Sequence, residues 1–86
     1  TFPAHRAIGR DRRIPPRAKG VYYHIVDGLS FAEAKPIKLR ALARELRIDH
    51  GNLSRDFQVL IQVGYLRRAG RGRGPYLYVL EYSPPA

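Results

Sequence analysis

Apolar positions along the chain change period twice. Val21, Tyr22, Ile25, Val26 and Leu29 fall at i, i+4 and i+8, with a second row one residue on. That spacing predicts a helix over residues 18–29, ending near Gly28. Leu39, Leu42, Ala43 and Leu46 make one side of a short helix over residues 40–46, built from strong helix formers. Arg40, Arg44, Glu45 and Arg47 are then placed mostly outside. Leu53, Phe57, Leu60 and Ile61 repeat at i, i+4, i+7 and i+8, which predicts a third helix from His50 to Val63. Asp49 is a good N-cap for it, and Gly64 sits where a left-handed C-cap is wanted.

Beyond Gly64 the period shortens to two. Residues 65–68 and the run Tyr76-Leu-Tyr-Val-Leu-Glu-Tyr82 have strand character, and the glycine-rich residues 69–75 make a flexible turn between them. Ile37-Lys38-Leu39 alternates and predicts a brief strand before the second helix. Pro36 punctuates the connection over residues 30–36, from which Phe31 is expected to fold back onto the core. Residues 1–17 show no sustained apolar period, and Pro15 and Pro16 are expected to stop any helix. They read as a flexible basic arm, residues 18–82 as one domain, and residues 83–86 as a tail. The fold class is α+β: three helices plus a C-terminal β-hairpin.

Eighty-six residues suffice for one modest core and leave little room for a buried catalytic cleft. With no cysteine, disulfides and thiolate metal sites are excluded, and a reducing compartment is a fitting one. No apolar run approaches membrane-spanning length, and the first residues lack a signal-peptide layout. Charge adds more. Sixteen Lys and Arg, thirteen of them Arg, oppose seven acids for a net +9. Arg presents a planar fork suited to phosphates and guanine edges, so the partner expected is a polyanion: DNA, RNA or an acidic membrane. The charge is clustered. Arg6, Arg10, Arg12, Arg13 and Arg17 lie in the first seventeen residues with only Asp11 against them, and Arg67, Arg68, Arg71 and Arg73 surround the hairpin turn.

The second helix, a short turn and the longer third helix make a helix-turn-helix, and the glycine-tipped hairpin directly after it adds a wing. The residues Leu39, Leu42, Ala43, Leu46, Ile48, Asp49, Leu53, Ser54, Arg55, Phe57, Leu60, Gly64, Tyr65 and Leu66 follow a spaced pattern over about residues 37 to 80. In that pattern the chain resembles the winged helix-turn-helix DNA-binding domains of bacterial and archaeal regulators, including those of phages and plasmids. Two positions depart from it: Arg47 stands in the turn where Gly is usual, and Gly51 lowers helix propensity in the first turn of the third helix.

A major groove about 12 Å wide accepts one helix. The outer face of the third helix is expected to carry His50, Gly51, Asn52, Ser54, Arg55 and Gln58, with Gln62 at its far end. Asn, Gln and Arg are the side chains that pair bidentately with adenine and guanine edges, and Gly51 lets the backbone approach closely. Asp56 lies on or near this face, either paired with a neighbouring Arg or turned from phosphate. Arg67, Arg68, Arg71, Gly72 and Arg73 form the wing. Its Gly70–Pro75 run resembles an AT-hook core with one glycine inserted, which suggests arginine entry into a narrow minor groove. Tyr76 and Tyr78 alternate beside it, to contact sugar–phosphate or to cover the sheet. The resemblance implies that Lys35, Lys38 and Arg40, at the start of the second helix, position phosphates.

Enzyme readings find no support: no Cys nucleophile, no His pair at metal spacing, and no phosphate-binding loop before a helix. No catalytic residue, metal or cofactor is expected. The expected function is double-stranded DNA binding in the cytoplasm, on the nucleoid, by a transcriptional regulator. The alternatives are the DNA-binding domain of a plasmid or phage replication or partition protein, and an RNA-binding or architectural nucleic-acid module. A purely protein-binding domain has no need of arginine on both helix and hairpin. The oligomeric state is open: a homodimer, and a monomer that dimerises on a palindromic or repeated DNA site, are equally compatible, and no membrane partner is expected.

Overall fold

A computed structural model describes residues 3–71 and 74–86. The architecture is α+β, with four helices and a three-stranded antiparallel sheet. In chain order these are α1 (Pro3–Arg10), α2 (Pro16–Ile25), β1 (Lys35–Pro36), α3 (Leu39–Leu46), α4 (His50–Val63), β2 (Leu66–Arg71) and β3 (Tyr76–Leu80), with a 3₁₀ turn over Val26–Gly28. The strand order is β1-β3-β2.

The helix count corrects the expected three. Residues 3–10, expected within a flexible arm, are helical because two apolar side chains four residues apart find a core. Ala4 and Ile8 are wholly buried. An eight-residue helix is marginal by itself, so tertiary contacts must hold it. The Ala4 amide donates to the Tyr82 carbonyl at 3.2 Å. The Tyr23 hydroxyl donates to the His5 carbonyl at 3.2 Å, and Lys19 Nζ donates to the Gly9 carbonyl at 3.1 Å. Ile14 is buried as well.

Pro16 begins a helix rather than ending one. At the first helical position proline forfeits no hydrogen bond, and its fixed φ suits the turn. Ala18, Val21, Tyr22 and Ile25 then form the buried stripe of α2. Tyr22 is its hub, edge-on to the rings of His5, Tyr23 and Tyr65 at 5.6, 5.8 and 6.0 Å. Burial pushes its hydroxyl up to about 12.

The predicted bounds of α4 hold residue for residue. Asp49 accepts from the Gly51 and Asn52 amides, and Gly64 closes the helix at φ 112°. A Cβ at Gly64 would also lie 3.0 Å from Pro85 Cβ, so residues 83–86 fold back over the helix end. The expected strand at Ile37–Leu39 falls two residues earlier, at Lys35–Pro36. Pro36 is tolerated there because β1 is an edge strand, where one amide faces away from the ladder. Phe31 is half exposed and meets Tyr82 edge-on at 5.2 Å instead of entering the core.

Two polar contacts fix the helices. Arg17, at the start of α2, forks onto Asp56 with Nε and Nη2 at 2.8 and 3.0 Å. Asp56 is therefore not on the outer face of α4: it is 3% exposed and pairs with a cation thirty-nine residues away. Asp11 accepts from the Arg13 guanidinium at 2.8 Å and from the Tyr65 hydroxyl at 2.7 Å. These two donors, Arg13 first, hold its carboxyl well below the usual carboxylate range.

Removing Arg17 strands a buried carboxylate. Breaking a buried pair costs about 3–5 kcal/mol, and exposure of half the Arg17 side chain reduces that to about 2 kcal/mol. Chemical denaturation of Arg17→Met should show this loss, and Arg17→Met/Asp56→Leu should recover most of it. The Asp11 contact predicts acid sensitivity. A carboxyl depressed in the folded state stabilises it above its unfolded value of 3.8, and that stability is lost as pH falls from there through the folded value. The difference in Tm between the native chain and Asp11→Asn should be largest near neutrality and should shrink below about pH 4.

Candidate nucleic-acid interface

The hairpin's two faces are set by its register. Leu66 pairs with Leu80, Arg67 with Val79, Arg68 with Tyr78, Gly70 with Leu77 and Arg71 with Tyr76. Ala69 has no partner and forms a bulge next to Gly70, whose φ is 127°. Residues three apart on a regular strand face opposite ways. The extra residue cancels that reversal, so Arg68 and Arg71 share the face of Tyr76 and Tyr78. The Arg68 and Arg71 guanidinium carbons lie 4.4 and 5.1 Å from the Tyr76 ring centre. Arg71 Nε also donates to the Gly74 carbonyl at 3.2 Å. Tyr78 covers the sheet, being buried edge-on to Phe57 of α4 at 5.2 Å, whereas Tyr76 is 39% exposed.

This face turns toward the start of α4. One open depression of about 550 Å³ is lined by Lys38, Arg40 and Arg44 of the α3 region, His50 of α4, and Arg71 and Tyr76 of the hairpin. A second depression adjoins it, bounded by Arg40, Arg44, Arg47, Ile48 and His50. Lys38, Arg40, Arg44, Arg47 and Arg71 are all exposed, and none has a carboxylate partner among the described residues. Lys38 caps α3 without a side-chain hydrogen bond, so the first amides of that helix stay open to an acceptor between Lys38 and Arg40. The first turn of α4 is different, because Asp49 already occupies the Gly51 and Asn52 amides.

Along α4 the exposed stripe is Gly51, Arg55, Gln58 and Gln62, at i, i+4, i+7 and i+11. His50 and Ser54 flank it toward the depression, and Asn52 flanks it on the other side; all three are partly buried. Arg55 Nη1 donates to Asn52 Oδ1 at 3.2 Å, which ties the two expected base-reading side chains together.

Of the expected phosphate and wing residues, Lys38, Arg40 and Arg71 are brought together with His50, and Arg68 stands beside them. Lys35 lies outside this cluster on β1, opposite Tyr78. Arg67 belongs to the other hairpin face, where its Nε donates to Glu81 at 2.9 Å. Gly72 and Arg73 lie outside the described residues. Arg44 and Arg47 were not among the expected contacts. Their signal is the spacing Arg40, Arg44, Arg47, one charged stripe along α3.

Arg47 carries a further mark. Its φ is 56°, the one positive value among the described non-glycine residues. It closes α3, with its amide directed to the Ala43 and Arg44 carbonyls and the Ile48 amide donating to Ala43 at 2.9 Å. A left-handed arginine costs roughly 1 kcal/mol where glycine is free.

No protein-family model, curated protein or solved structure matches the chain. Among the described residues, no group of His, Asp or Glu is placed to hold a metal ion, and no helix is long and apolar enough to cross a membrane.

Arg47→Gly separates stability from binding. It should raise stability by about 0.5–1 kcal/mol in thermal or denaturant unfolding, because glycine meets the left-handed turn without strain. Affinity for a polyanion should fall in the same protein, as measured by fluorescence anisotropy with a labelled duplex.

Proposed function

We propose that the chain is a winged helix-turn-helix domain that binds double-stranded DNA as part of a transcriptional regulator. The observation that carries this reading is the convergence of Lys38, Arg40, Arg44, Arg47 and Arg71, unpaired by acids, on one open surface at the start of α4. Five uncompensated cations on a single face repel one another. The arrangement costs the free protein stability and is repaid when phosphates replace condensed counterions.

The roles divide by geometry. Lys38, Arg40 and the open α3 amides take a phosphate and set the register of docking. Arg44 and Arg47 extend the same backbone track. The stripe of Arg55 and Gln58, with Asn52 at its edge, lies in the major groove and reads base edges. The contact between Arg55 and Asn52 holds the guanidinium in place until a base edge replaces the amide oxygen. Arg68 and Arg71, packed on Tyr76, reach the flanking backbone or minor groove. Folded duplex, rather than single strands, suits a surface with little aromatic area open for stacking: Tyr78 is buried, and Tyr76, 39% exposed, has two guanidinium groups against its ring.

Duplex affinity of Arg44→Ala and of Arg71→Ala, followed by anisotropy across a salt series, should fall about tenfold each, and the log–log salt slope should drop by about one. Arg55→Ala and Asn52→Ala should relax sequence preference in binding-site selection from random duplexes, with a smaller change in slope. Equal binding of structured RNA in competition, or duplex affinity untouched by Arg44→Ala and Arg71→Ala, would overturn the proposal.

A further inference from the structure

We infer that α1 carries a second DNA-binding surface, so that one copy of the chain holds two duplex segments at opposite ends. This rests on the DNA reading above and adds a site to it.

The surface follows from how α1 docks. Ala4 and Ile8 fix the buried side of the helix. Arg6 and Arg10, also four residues apart and offset by two, stand on the opposite side. Both are exposed, as is Arg12 in the turn that follows. The one acid in this stretch, Asp11, is already taken by Arg13 and Tyr65. Asp27 acts electrostatically on His5, which lies on the Tyr22 side of the helix. Arg6, Arg10 and Arg12 have no ion pair among the described residues. Arg6 and Arg10 border a shallow depression with Pro3, Ala7 and Tyr82.

The position of α1 keeps this surface apart from the first. The Ala4 amide of α1 bonds Tyr82, and Asp11 in the turn after α1 bonds Tyr65, both at the root of the β2–β3 hairpin, whereas Arg71 and Gly74 lie at the hairpin's tip. Helix α4 spans the same interval: it starts at His50 in the first interface and ends beside Tyr65. Fourteen residues cover roughly 21 Å at about 1.5 Å each, in a domain 31 Å long. The start of α4 therefore lies more than two Debye lengths, about 8 Å each at physiological salt, from the end beside Tyr65, so the cations at that start and those of α1 are largely screened from one another. A membrane is the poorer partner for α1, since its apolar residues are spent on the core and leave no face to insert.

The test is capture of a second duplex. The full chain is bound to a bead-tethered duplex, washed, and offered a labelled duplex of the same sequence; anisotropy measures single-duplex affinity in parallel. The native chain should capture the label. Arg6→Gln/Arg10→Gln/Arg12→Gln should lower capture at least about tenfold and change single-duplex affinity less than about threefold, since all three side chains are exposed and lie at the opposite end from the start of α4. Arg6→Lys/Arg10→Lys/Arg12→Lys should retain capture and shows that charge, not α1 folding, is being read. Absence of capture by the native chain, or capture unaffected by the glutamine variant (bridging through paired copies), overturns the second site. So does a parallel loss of capture and single-duplex affinity in the glutamine variant, because α1 then belongs to the first interface. Failure of the underlying reading looks different: Arg44→Ala/Arg71→Ala would keep single-duplex affinity.

Discussion

The edge-to-face contact between Phe57 and Tyr78 ties α4 to the sheet, and the geometry of the basic face at the start of α4 depends on it. Phe57 lies on the buried side of α4 and Tyr78 at the centre of β3. Their packing fixes which face of the hairpin turns toward the helix. Strand alternation then assigns every neighbour: Tyr76 and Leu80 follow Tyr78, and their partners Arg71 and Leu66 follow them. Shifting the register by one residue would bury Arg67 and put Arg68 and Arg71 on the side of Glu81. A contact made for packing thus decides where the hairpin's charge is delivered.

The bulge at Ala69 is the second condition. Without it Arg71 would point away from His50, however well Phe57 met Tyr78. The glycine after it has a positive φ, so the kink carries no strain at Gly70. The same economy is absent at Arg47, where an arginine holds a left-handed turn that glycine would hold freely. A strained residue that is also an unpaired cation at the rim of the basic surface fits the proposed binding role better than it fits stability.

Much of α4 was legible because its signals are local. Asp49, the i, i+4, i+7 apolar spacing and Gly64 all act within one turn of the backbone they cap. What stayed hidden depends on distant partners. Ala4 and Ile8 offer only two apolar positions, and nothing near them in sequence announces Tyr82, Tyr23 or Lys19 as the support of their helix. Asp56 sits among polar residues and reads as surface until Arg17 arrives from α2. The bulge was illegible for a related reason: Gly70 permits it, but only the pairing of Arg68 with Tyr78 and Arg71 with Tyr76 requires it. Arg44 and Arg47 were visible as outward residues on α3, yet their meaning came from Arg71, which the hairpin brings beside them.

The acids explain why the positive charge is focused and not uniform. Of seven, five are committed within the fold: Asp49 caps α4, Asp56 and Asp11 hold Arg17 and Arg13, Glu45 meets His24 at 2.9 Å, and Glu81 meets Arg67. Asp56 and Glu81 neutralise cations that tie helix to helix and strand to strand, and Asp11 neutralises Arg13 in the turn after α1. Among the described residues, the cations without an acid partner gather at the start of α4 and the hairpin tip and along α1 and the turn after it, with Lys19, Lys35 and Arg55 between. A protein that needed positive charge only to stay in solution could spread it and lose little. Here the pairing along the middle leaves the ends dominated by cations, and screening over more than a Debye length keeps the two groups largely independent. The +9 is therefore better regarded as two local groups of cations than as one net charge.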